Sequence, residues 1–248
     1  MPKFFISKNQ IDGDIIKIVG EDSHHISRSL RMACGEKINV TDDEAYEYEC
    51  TLEAFGEGFV LARIESKQIS NAESPIKVHL FQALPKGEKL DLIIQKSVEC
   101  GVYDITPFES EYCIAKAKGD SEGRKNDRRS KIALEAAKQC RRGIIPKVNS
   151  TVTFDQMMDK AFLSDAVLFC YEGEGTVAMG KMLKELKNTK EINELSIIIG
   201  SEGGFSPAEA EKMQKAGALM IGLGKRILRA ETAAIMALSC LVYEFELT

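Results

Sequence analysis

The stretch that decides the fold is "IIIGSEGGFSPAEAEKMQKAG", residues 197–217. It opens as a continuous apolar run and then passes through three glycines, two of them adjacent. Ser206 and Glu209 match the S-x-x-E capping box, with Pro207 at the first helical position, so a helix is predicted to begin there. A buried strand, a sharp turn and a capped helix together are typical of a parallel α/β sheet.

The same alternation of strand and helix extends over residues 73–248 and predicts an α/β domain with a mainly parallel sheet. The predicted strands are "IKVHLFQAL", "DITPF", "DAVLFCYE", "ELSIIIG" and "ALMIGLG". Apolar residues at helical spacing occur between and after them in "EKLDLIIQKSVECG", "RKNDRRSKIALEAAKQCRR" and "AETAAIMALSCLVYEFEL".

Residues 1–72 predict a separate, small β-barrel domain, because they read as several short strands with one helix. One of the strands, "YEYECTLEAF", largely alternates polar and apolar residues, as a half-buried strand does. The helix is predicted in "DSHHISRSLRM", where Arg28 and Arg31 would share one face. Turn-forming residues at 69–75 mark the linker.

The composition indicates a folded, cytoplasmic protein without a metal. The chain has 248 residues, of which 44% are hydrophobic, and no apolar run approaches the roughly 20 residues of a membrane span. The apolar part of the N-terminus is too short for a signal peptide. The seven cysteines form no C-x-x-C pair, which favours free thiols over a zinc site or a disulfide framework.

Charge is unevenly distributed along the chain. The net charge is −5, but residues 115–147 hold 11 basic and 4 acidic residues. A local basic stripe can bind a phosphate backbone, since its field acts at short range through salt. The same stripe could equally be a solvated helix face, and the sequence leaves both interpretations open.

Glycine-rich turns follow three of the predicted strands, and ligands of parallel sheets bind beyond such strand ends. Glycine there allows backbone N–H and C=O groups to approach a flat ligand such as adenine, although tight turns also favour glycine. The turns contain Tyr171-Glu172-Gly173, Gly200 to Gly204, and Gly222-Leu223-Gly224.

The segment "LGKRILRAET", residues 223–232, places Lys225, Arg226 and Arg229 between a predicted strand and a predicted helix. Arginines in a short loop could bind an anion or cap the helix. No Ser–His–Asp, Cys–His or metal-ligand spacing is present. Reactions that need mainly positioning, such as methyl transfer from a sulfonium, are therefore favoured.

Two other functions remain open on the residues alone. The segment "GEGTVA", residues 173–178, fits a G-x-G-x-x-[G/A] dinucleotide fingerprint after a strand and would suit an NAD(P)-binding oxidoreductase. The acidic residue expected at the end of the next strand is missing. A non-catalytic RNA-binding adaptor is the second alternative.

Several blocks resemble those of the bacterial 16S ribosomal RNA uridine-N3 methyltransferases, a family of α/β-knot (SPOUT) enzymes, and the likeness spans nearly the whole chain in order. Ser201 stands where that family usually has proline, which predicts a looser turn. The blocks are "HHISRSLRM", "GEKINVTD", "LPKGEKLDLIIQKSVECGV", "EAAKQCRR", "IGSEGGFS" and "LGKRILRAET".

The resemblance implies a PUA-like RNA-binding barrel over residues 1–72 and a trefoil-knot methyltransferase domain over 73–248. It further implies S-adenosylmethionine as the cofactor, a homodimer, and N3 of a uridine in the 16S RNA of the small ribosomal subunit as the target. It implies no metal and no membrane partner.

Carried over to this chain, the resemblance assigns three groups of residues. Arg229 is the catalytic candidate, because a guanidinium can stabilise the negative charge of a deprotonated uracil ring. The RNA contacts are predicted at Arg28, Arg31, Lys86, Lys89, Arg141 and Arg142. The cofactor contacts are predicted at Tyr171, Glu172, Gly173, Gly200, Glu202, Gly203, Gly204, Leu223, Gly224, Ile227 and Leu228.

Overall fold

The computed structural model describes residues 1–116, 119–189 and 191–248. These residues form two compact units. The first contains residues 1–73 and 137–145, and the second contains residues 74–136 and 146–248. Nothing in the sequence pattern indicates that residues 137–145 pack with the first unit.

The first unit is built on a six-stranded sheet with the strand order β1-β4-β5-β6-β3-β2. Only the β1–β4 pair is parallel among its described pairings. A short helix, α1 (Gly20–His24), and a π-helical turn (His25–Ser29) follow the third strand. The strands are β1 (Lys3–Phe5), β2 (Ile11–Asp12), β3 (Ile15–Val19), β4 (Lys37–Thr41), β5 (Tyr46–Gly56) and β6 (Phe59–Ile69).

The alternation predicted for the fifth strand is confirmed. Tyr48, Cys50 and Leu52 point into the core of the first unit, while residues between them face outward. Two shifts of register between β5 and β6 bend the sheet, as β-bulges do. The result is a curled, PUA-like half-barrel, since pairing among the described strands runs from β1 to β2 without joining those two edges.

The predicted helix after β3 is shorter than the sequence suggested. The helical turns end at Ser29, and Arg31 has a left-handed backbone with φ of 52°. Arg28 and Arg31 therefore do not share one helical face, and that expectation was wrong. A π-helical turn adds a residue to its hydrogen-bonded ring, which no i, i+3 pattern reveals.

The second unit contains an eight-stranded sheet in which every described pairing is parallel. Its strand order is β10-β8-β7-β13-β11-β14-β12, with β9 pairing with β8. The strands are β7 (Lys77–Ala83), β8 (Asp104–Glu109), β9 (Lys147–Val148), β10 (Val152–Thr153), β11 (Ala166–Cys170), β12 (Val177–Ala178), β13 (Glu194–Ile199) and β14 (Leu219–Gly222).

In the described part of the chain six helices accompany these strands, and α7 packs against α2 and α5. Within the described residues, no helix combines the length and the apolar composition that crossing a lipid bilayer requires. The helices are α2 (Lys89–Glu99), α3 (Gly119–Cys140), α4 (Phe154–Ala161), α5 (Met179–Thr189), α6 (Pro207–Lys215) and α7 (Ala230–Glu246).

The capping box predicted from the opening stretch is confirmed. Ser206 precedes α6, its hydroxyl accepts the backbone N–H of Glu209 at 3.2 Å, and Glu209 accepts the N–H of Ser206 at 3.0 Å. Pro207 occupies the start of the helix. The cap fixes the direction in which the chain leaves β13, so the glycine turn before it is held at the edge of the sheet.

A cluster of charged groups joins three strands near their amino ends. His79 on β7 lies 3.1 Å from Asp104 and 3.5 Å from Glu194, and Lys77 donates to Glu194 at 2.8 Å. Burial opposes the charged imidazole, but the hydrogen bond and charge of Asp104, together with Glu194, raise the pKa of His79 above its ordinary value.

We predict that His79→Gln flattens the pH dependence of stability. A raised pKa in the folded state means that protonation contributes stability which is complete below about pH 6.5 and is lost as pH rises through the folded-state value. The wild type should therefore lose more free energy of unfolding than the variant between about pH 6 and pH 8, as measured by urea denaturation. His24→Gln, at an exposed position, is the matched control; equal losses in wild type and His79→Gln would contradict the prediction.

Candidate functional site

Three glycine-containing turns meet at one edge of the parallel sheet. They follow β11, β13 and β14, which are neighbours in the strand order, so their carboxyl ends lie side by side. The turns enclose a cavity of about 340 Å³, within the size range of small-molecule sites. Among the residues predicted for cofactor binding, the lining includes Tyr171, Glu172, Gly173, Gly200, Gly203, Gly204, Leu223, Gly224, Ile227 and Leu228.

Close packing requires glycine at the start of the loop after β13. A Cβ atom on Gly200 would lie 3.1 Å from the Phe205 ring and 3.2 Å from the Cα of Gly204. Gly204 also has φ of 65°, a left-handed conformation that side chains disfavour. The loop therefore presents backbone N–H and C=O groups directly to the cavity, which suits a flat ligand with polar edges.

Two polar side chains of the lining show what the cavity can do. The hydroxyl of Ser201 is buried and has no hydrogen-bond partner among the described residues, so it is available to a ligand. Burial raises the pKa of the Cys170 thiol to about 12, with a smaller effect from Cys240. Cys170 is therefore uncharged near neutral pH and is not an activated nucleophile.

Glu202, also predicted to bind a cofactor, is not among the residues that line the cavity. Its carboxylate accepts a hydrogen bond from Lys89 Nζ at 2.7 Å and lies 3.2 Å from the Lys86 backbone N–H, which also donates to it. Burial opposes its charge, but these donors lower the pKa of Glu202 below its ordinary value. Glu202 thus ties the glycine loop to the segment before α2.

Lys89 was predicted to contact RNA, and the structure places it inside this network. Besides Glu202, its ammonium lies 3.7 Å from Glu231 on the first turn of α7. The hydrogen bond to Glu202 raises the pKa of Lys89, and the neighbouring charge of Arg229 acts in the opposite direction. Lys89 therefore connects the loop after β13 with the beginning of α7.

Arg229 immediately precedes α7, at the N-cap position. Leu228 and Ala230, on either side of it, line the cavity, whereas Arg229 itself is exposed and is not part of the lining. No hydrogen bond of its side chain occurs within the described residues. Its guanidinium is thus available at the end of the segment that closes the cavity.

The other residues predicted to contact RNA differ in exposure. Arg28, Arg31, Lys86 and Arg141 are exposed. Arg142 is only 3% exposed, and its guanidinium donates to the Glu73 carboxylate at 2.5 and 3.0 Å. The structure therefore holds Arg142 inside the first unit, where it fixes the backbone next to Arg141.

The basic stretch 115–147 is partly neutralised by acidic partners. Besides Arg142, Arg128 pairs with Asp91 at 2.6 Å, and Lys138 pairs with Asp22 at 2.9 Å. Residues 117 and 118 of this stretch lie outside the described part of the chain. Because of these ion pairs, the folded protein has fewer unpaired positive charges in this stretch than the sequence suggests.

The dinucleotide fingerprint lacks its structural context. The segment "GEGTVA" does not open a helix, because β12 (Val177–Ala178) pairs with β14 before α5 begins. Close packing explains why residue 173 is glycine, since a Cβ atom there would lie 2.1 Å from the Tyr171 ring. The segment belongs to the same cavity rather than to a separate nicotinamide site.

The sequence interpretation missed several lining residues. Phe205 packs on Phe169, with ring centroids 4.2 Å apart, and Thr176 and Ala233 complete the wall. Phe205 directly follows Gly203 and Gly204 in the sequence, and this position next to the glycine turn could have indicated that it lines the cavity. Among the described residues, no three His, Cys, Asp or Glu side chains come together in a way that could hold a metal ion.

Comparison with known proteins shows the family to which this chain belongs. Residues 72–242 match the RNA methyltransferase domain family, and residues 18–65 match the RNA methyltransferase PUA domain. A protein of Bacillus subtilis named ribosomal RNA small subunit methyltransferase E is 33% identical, over 100% of this chain and 98% of its own length. The chain belongs to the ribosomal RNA small subunit methyltransferase E family.

Solved structures support the same assignment. A methyltransferase E from Neisseria gonorrhoeae, determined with bound S-adenosyl methionine, has a TM-score of 0.83 and 26% identity, covering 98% of this chain and 97% of its own. A candidate methyltransferase from Legionella pneumophila, determined with the cofactor SAM, has a TM-score of 0.82 and 32% identity, covering 97% and 96%. The half-barrel and the parallel α/β sheet are thus the fold of methyltransferase E.

We predict that Gly200→Ala destabilises the protein by about 1–3 kcal/mol, because the added methyl group overpacks the turn. Gly180→Ala in α5 is the matched control, since its Cβ would meet no atom within 4 Å. That control should be neutral or stabilising by up to about 1 kcal/mol. Thermal unfolding of the two variants tests this, and equal midpoints would show that the turn is not tightly packed.

Proposed function

We propose that this protein transfers a methyl group from S-adenosylmethionine to N3 of a uridine in the 16S RNA of the small ribosomal subunit. The observation that carries the proposal is the glycine-lined cavity at three adjacent strand ends. It occurs in a chain that aligns over its full length with proteins named ribosomal RNA small subunit methyltransferase E. The PUA-like half-barrel adds an RNA-binding module to the same chain.

The residues of the cavity fit this cofactor. Gly200 and Leu223 line the cavity where an adenine edge would meet the turn backbones, and the Ser201 hydroxyl lacks a partner within the described residues. Apolar side chains of Leu223 and Ile227 would contact the ring face. When bound, S-adenosylmethionine supplies an activated methyl group, so the protein contributes mainly alignment.

Arg229 is the residue that we propose to act on the substrate. N3 of uridine would have to lose its proton to a base before it accepts the methyl group, and negative charge is then shared by N3 and the ring carbonyl oxygens until the N–CH₃ bond forms. A guanidinium beside the cavity stabilises that charge. Lys89 would hold the loop after β13 against the start of α7, next to Arg229, through its ion pairs with Glu202 and Glu231.

RNA contacts are proposed at exposed cations of both units, namely Arg28, Arg31 and Arg141 in the first and Lys86 in the second. Arg31 and Arg141 have φ of 52° and 62°, values that glycine adopts without strain and arginine does not. Both residues follow a helical segment, where the chain commonly turns left-handed, and the Arg142 N–H donates to Ala137 O at 3.0 Å across Arg141. A phosphate contact would be a reason for arginine rather than glycine at both positions.

Four further features belong to the same proposal. The boundary between the two domains would lie between residues 72 and 73. The C-terminal domain would contain the trefoil knot that the family resemblance implies. The protein would act in the cytoplasm. It would form a homodimer, a state favoured by exposed apolar side chains such as Tyr243 at 60% and Leu247 at 71% on and after α7.

The decisive experiment combines cofactor binding with methyl transfer. We expect calorimetry to show saturable binding of S-adenosylmethionine, and small subunits from a strain without the enzyme to accept one methyl group at uridine N3. Saturable NADH binding without methyl transfer would favour an oxidoreductase. RNA binding that persists unchanged when the glycine loops are altered, again without transfer, would favour an adaptor.

Arg229→Ala should lower the transfer rate at least about a hundredfold, as expected for loss of an electrostatic stabiliser, with the cofactor dissociation constant little changed. Arg229→Lys should recover part of the rate, because it restores a positive charge without the planar donor pair. Full activity of Arg229→Ala would remove this catalytic assignment.

We predict that Arg141→Gly and Arg141→Ala weaken RNA binding equally but differ in stability. Both remove one phosphate contact, so the dependence of log affinity on log salt should become shallower by about 1. Only glycine relieves the left-handed strain, which should make it about 1 kcal/mol more stable than alanine. Filter binding at several salt concentrations and thermal melts measure both effects. Lys215→Ala on α6 is the control, and an unchanged salt slope in the Arg141 variants would contradict the contact.

A further inference from the structure

A rigid turn follows β8 and presents an aromatic side chain beside the glycine loop. The turn spans Ser110 to Cys113, both of which are buried. The backbone N–H of Cys113 donates to Ser110 O at 3.1 Å, and the two side chains lie 3.2 Å apart. Both ends of the turn are thus anchored in the interior, and of the two residues between them, Glu111 and Tyr112, the second is 44% exposed.

The same turn is joined to the capping box of α6. One carboxylate oxygen of Glu209 accepts the N–H of Ser206, and the other accepts the N–H of Glu111 at 2.8 Å. Glu209 is 8% exposed, so both hydrogen bonds are sheltered from water. Glu209 therefore joins the turn that carries Tyr112 to the end of the loop after β13.

Contact with the cavity wall is direct. A Cβ atom on Gly203 would lie 2.9 Å from the Cβ of Tyr112 and 3.4 Å from its carbonyl oxygen. Gly203 itself lines the cavity. The absence of a side chain at residue 203 thus makes room for Tyr112 as well as for a ligand.

Tyr112 remains 44% exposed although it is packed at this place, and the neighbouring Ile114 is 70% exposed. Packing accounts for the backbone and the Cβ of Tyr112 but leaves much of the ring in solvent. An exposed, rigidly mounted aromatic ring beside a reaction centre is the arrangement with which proteins bind unstacked nucleobases.

We propose that Tyr112 is a nucleobase-binding residue whose ring stacks on an unstacked base of the RNA at the edge of the cavity. This inference rests on the proposed function. N3 of a uridine is hidden in a base pair, so the base must leave its stack before it can react. Stacking on Tyr112 replaces part of the lost stacking energy and places the base next to the loop that would hold the cofactor.

The chain contains no tryptophan, so Tyr112→Trp introduces a single indole fluorophore at the proposed site. A short oligouridylate should quench its emission in a saturable way. An abasic oligonucleotide of the same length and charge should quench much less, because it offers phosphates without bases. Equal quenching by both, or quenching by S-adenosylmethionine alone with none added by RNA, would overturn the proposal.

Kinetics on small subunits provide the second test. Tyr112→Ala should raise KM for RNA roughly ten- to a hundredfold, the range expected from loss of one stacked base. Tyr112→Phe, which keeps the ring, should stay within about twofold of the wild type. The cofactor dissociation constant and the thermal midpoint should be unchanged in both variants. An unchanged KM in Tyr112→Ala, or conversion of a dimer to a monomer, would reject the assignment.

These outcomes separate the inference from the function on which it rests. If the wild type methylates no RNA, the proposed function fails, whereas the fluorescence comparison still reports whether residue 112 meets a base. If the wild type is active and the tryptophan shows no preference for bases over abasic sites, only the role of Tyr112 fails.

Discussion

The parallel pairing of β13 with β7 on one side and β11 on the other is the interaction on which the rest of the structure depends. These strands are buried on both faces, so a slip in register would move apolar side chains out of the core. Because the pairing is parallel, the chain leaves β11 and β13 at the same edge of the sheet. Because β14 also pairs with β11, the turns after all three strands are held side by side, and the cavity lies between them.

Glu209 extends this constraint beyond the sheet. As a capping residue it fixes the start of α6, and its second oxygen holds the turn after β8. A single buried carboxylate thus relates the cofactor-side loop to a surface segment nearly one hundred positions earlier in the chain. The same principle operates at Lys89, which joins Glu202 to Glu231 and so links the loop after β13 to the start of α7.

Charge in the sequence does not by itself separate phosphate ligands from structural ion pairs. Arg142 and Lys89 both looked like phosphate ligands, yet each lies in an ion pair that holds two segments together. A formal count cannot distinguish these from Arg28 or Arg141, because the acidic partners are distant in sequence. Backbone geometry adds a different observation, since Arg31 and Arg141 hold left-handed conformations at the ends of helical segments, where glycine would carry less strain.

The sequence by itself determined the longer elements and their type, but it overextended the helix after β3 and did not mark α4 or the short strands β9, β10 and β12. Continuous apolar runs marked the buried strands, the Ser206–Glu209 spacing marked the start of α6, and alternation marked β5, because these signals lie within a few residues of one another. The sequence also indicated membership of an RNA methyltransferase family, because several of its segments resemble those of that family and occur in the same order. Only the tertiary structure decided that strand ends distant in sequence meet, that Glu202 turns towards Lys89, and that residues 137–145 pack with the first unit. Those outcomes depend on long-range pairing and burial, which local spacing does not encode.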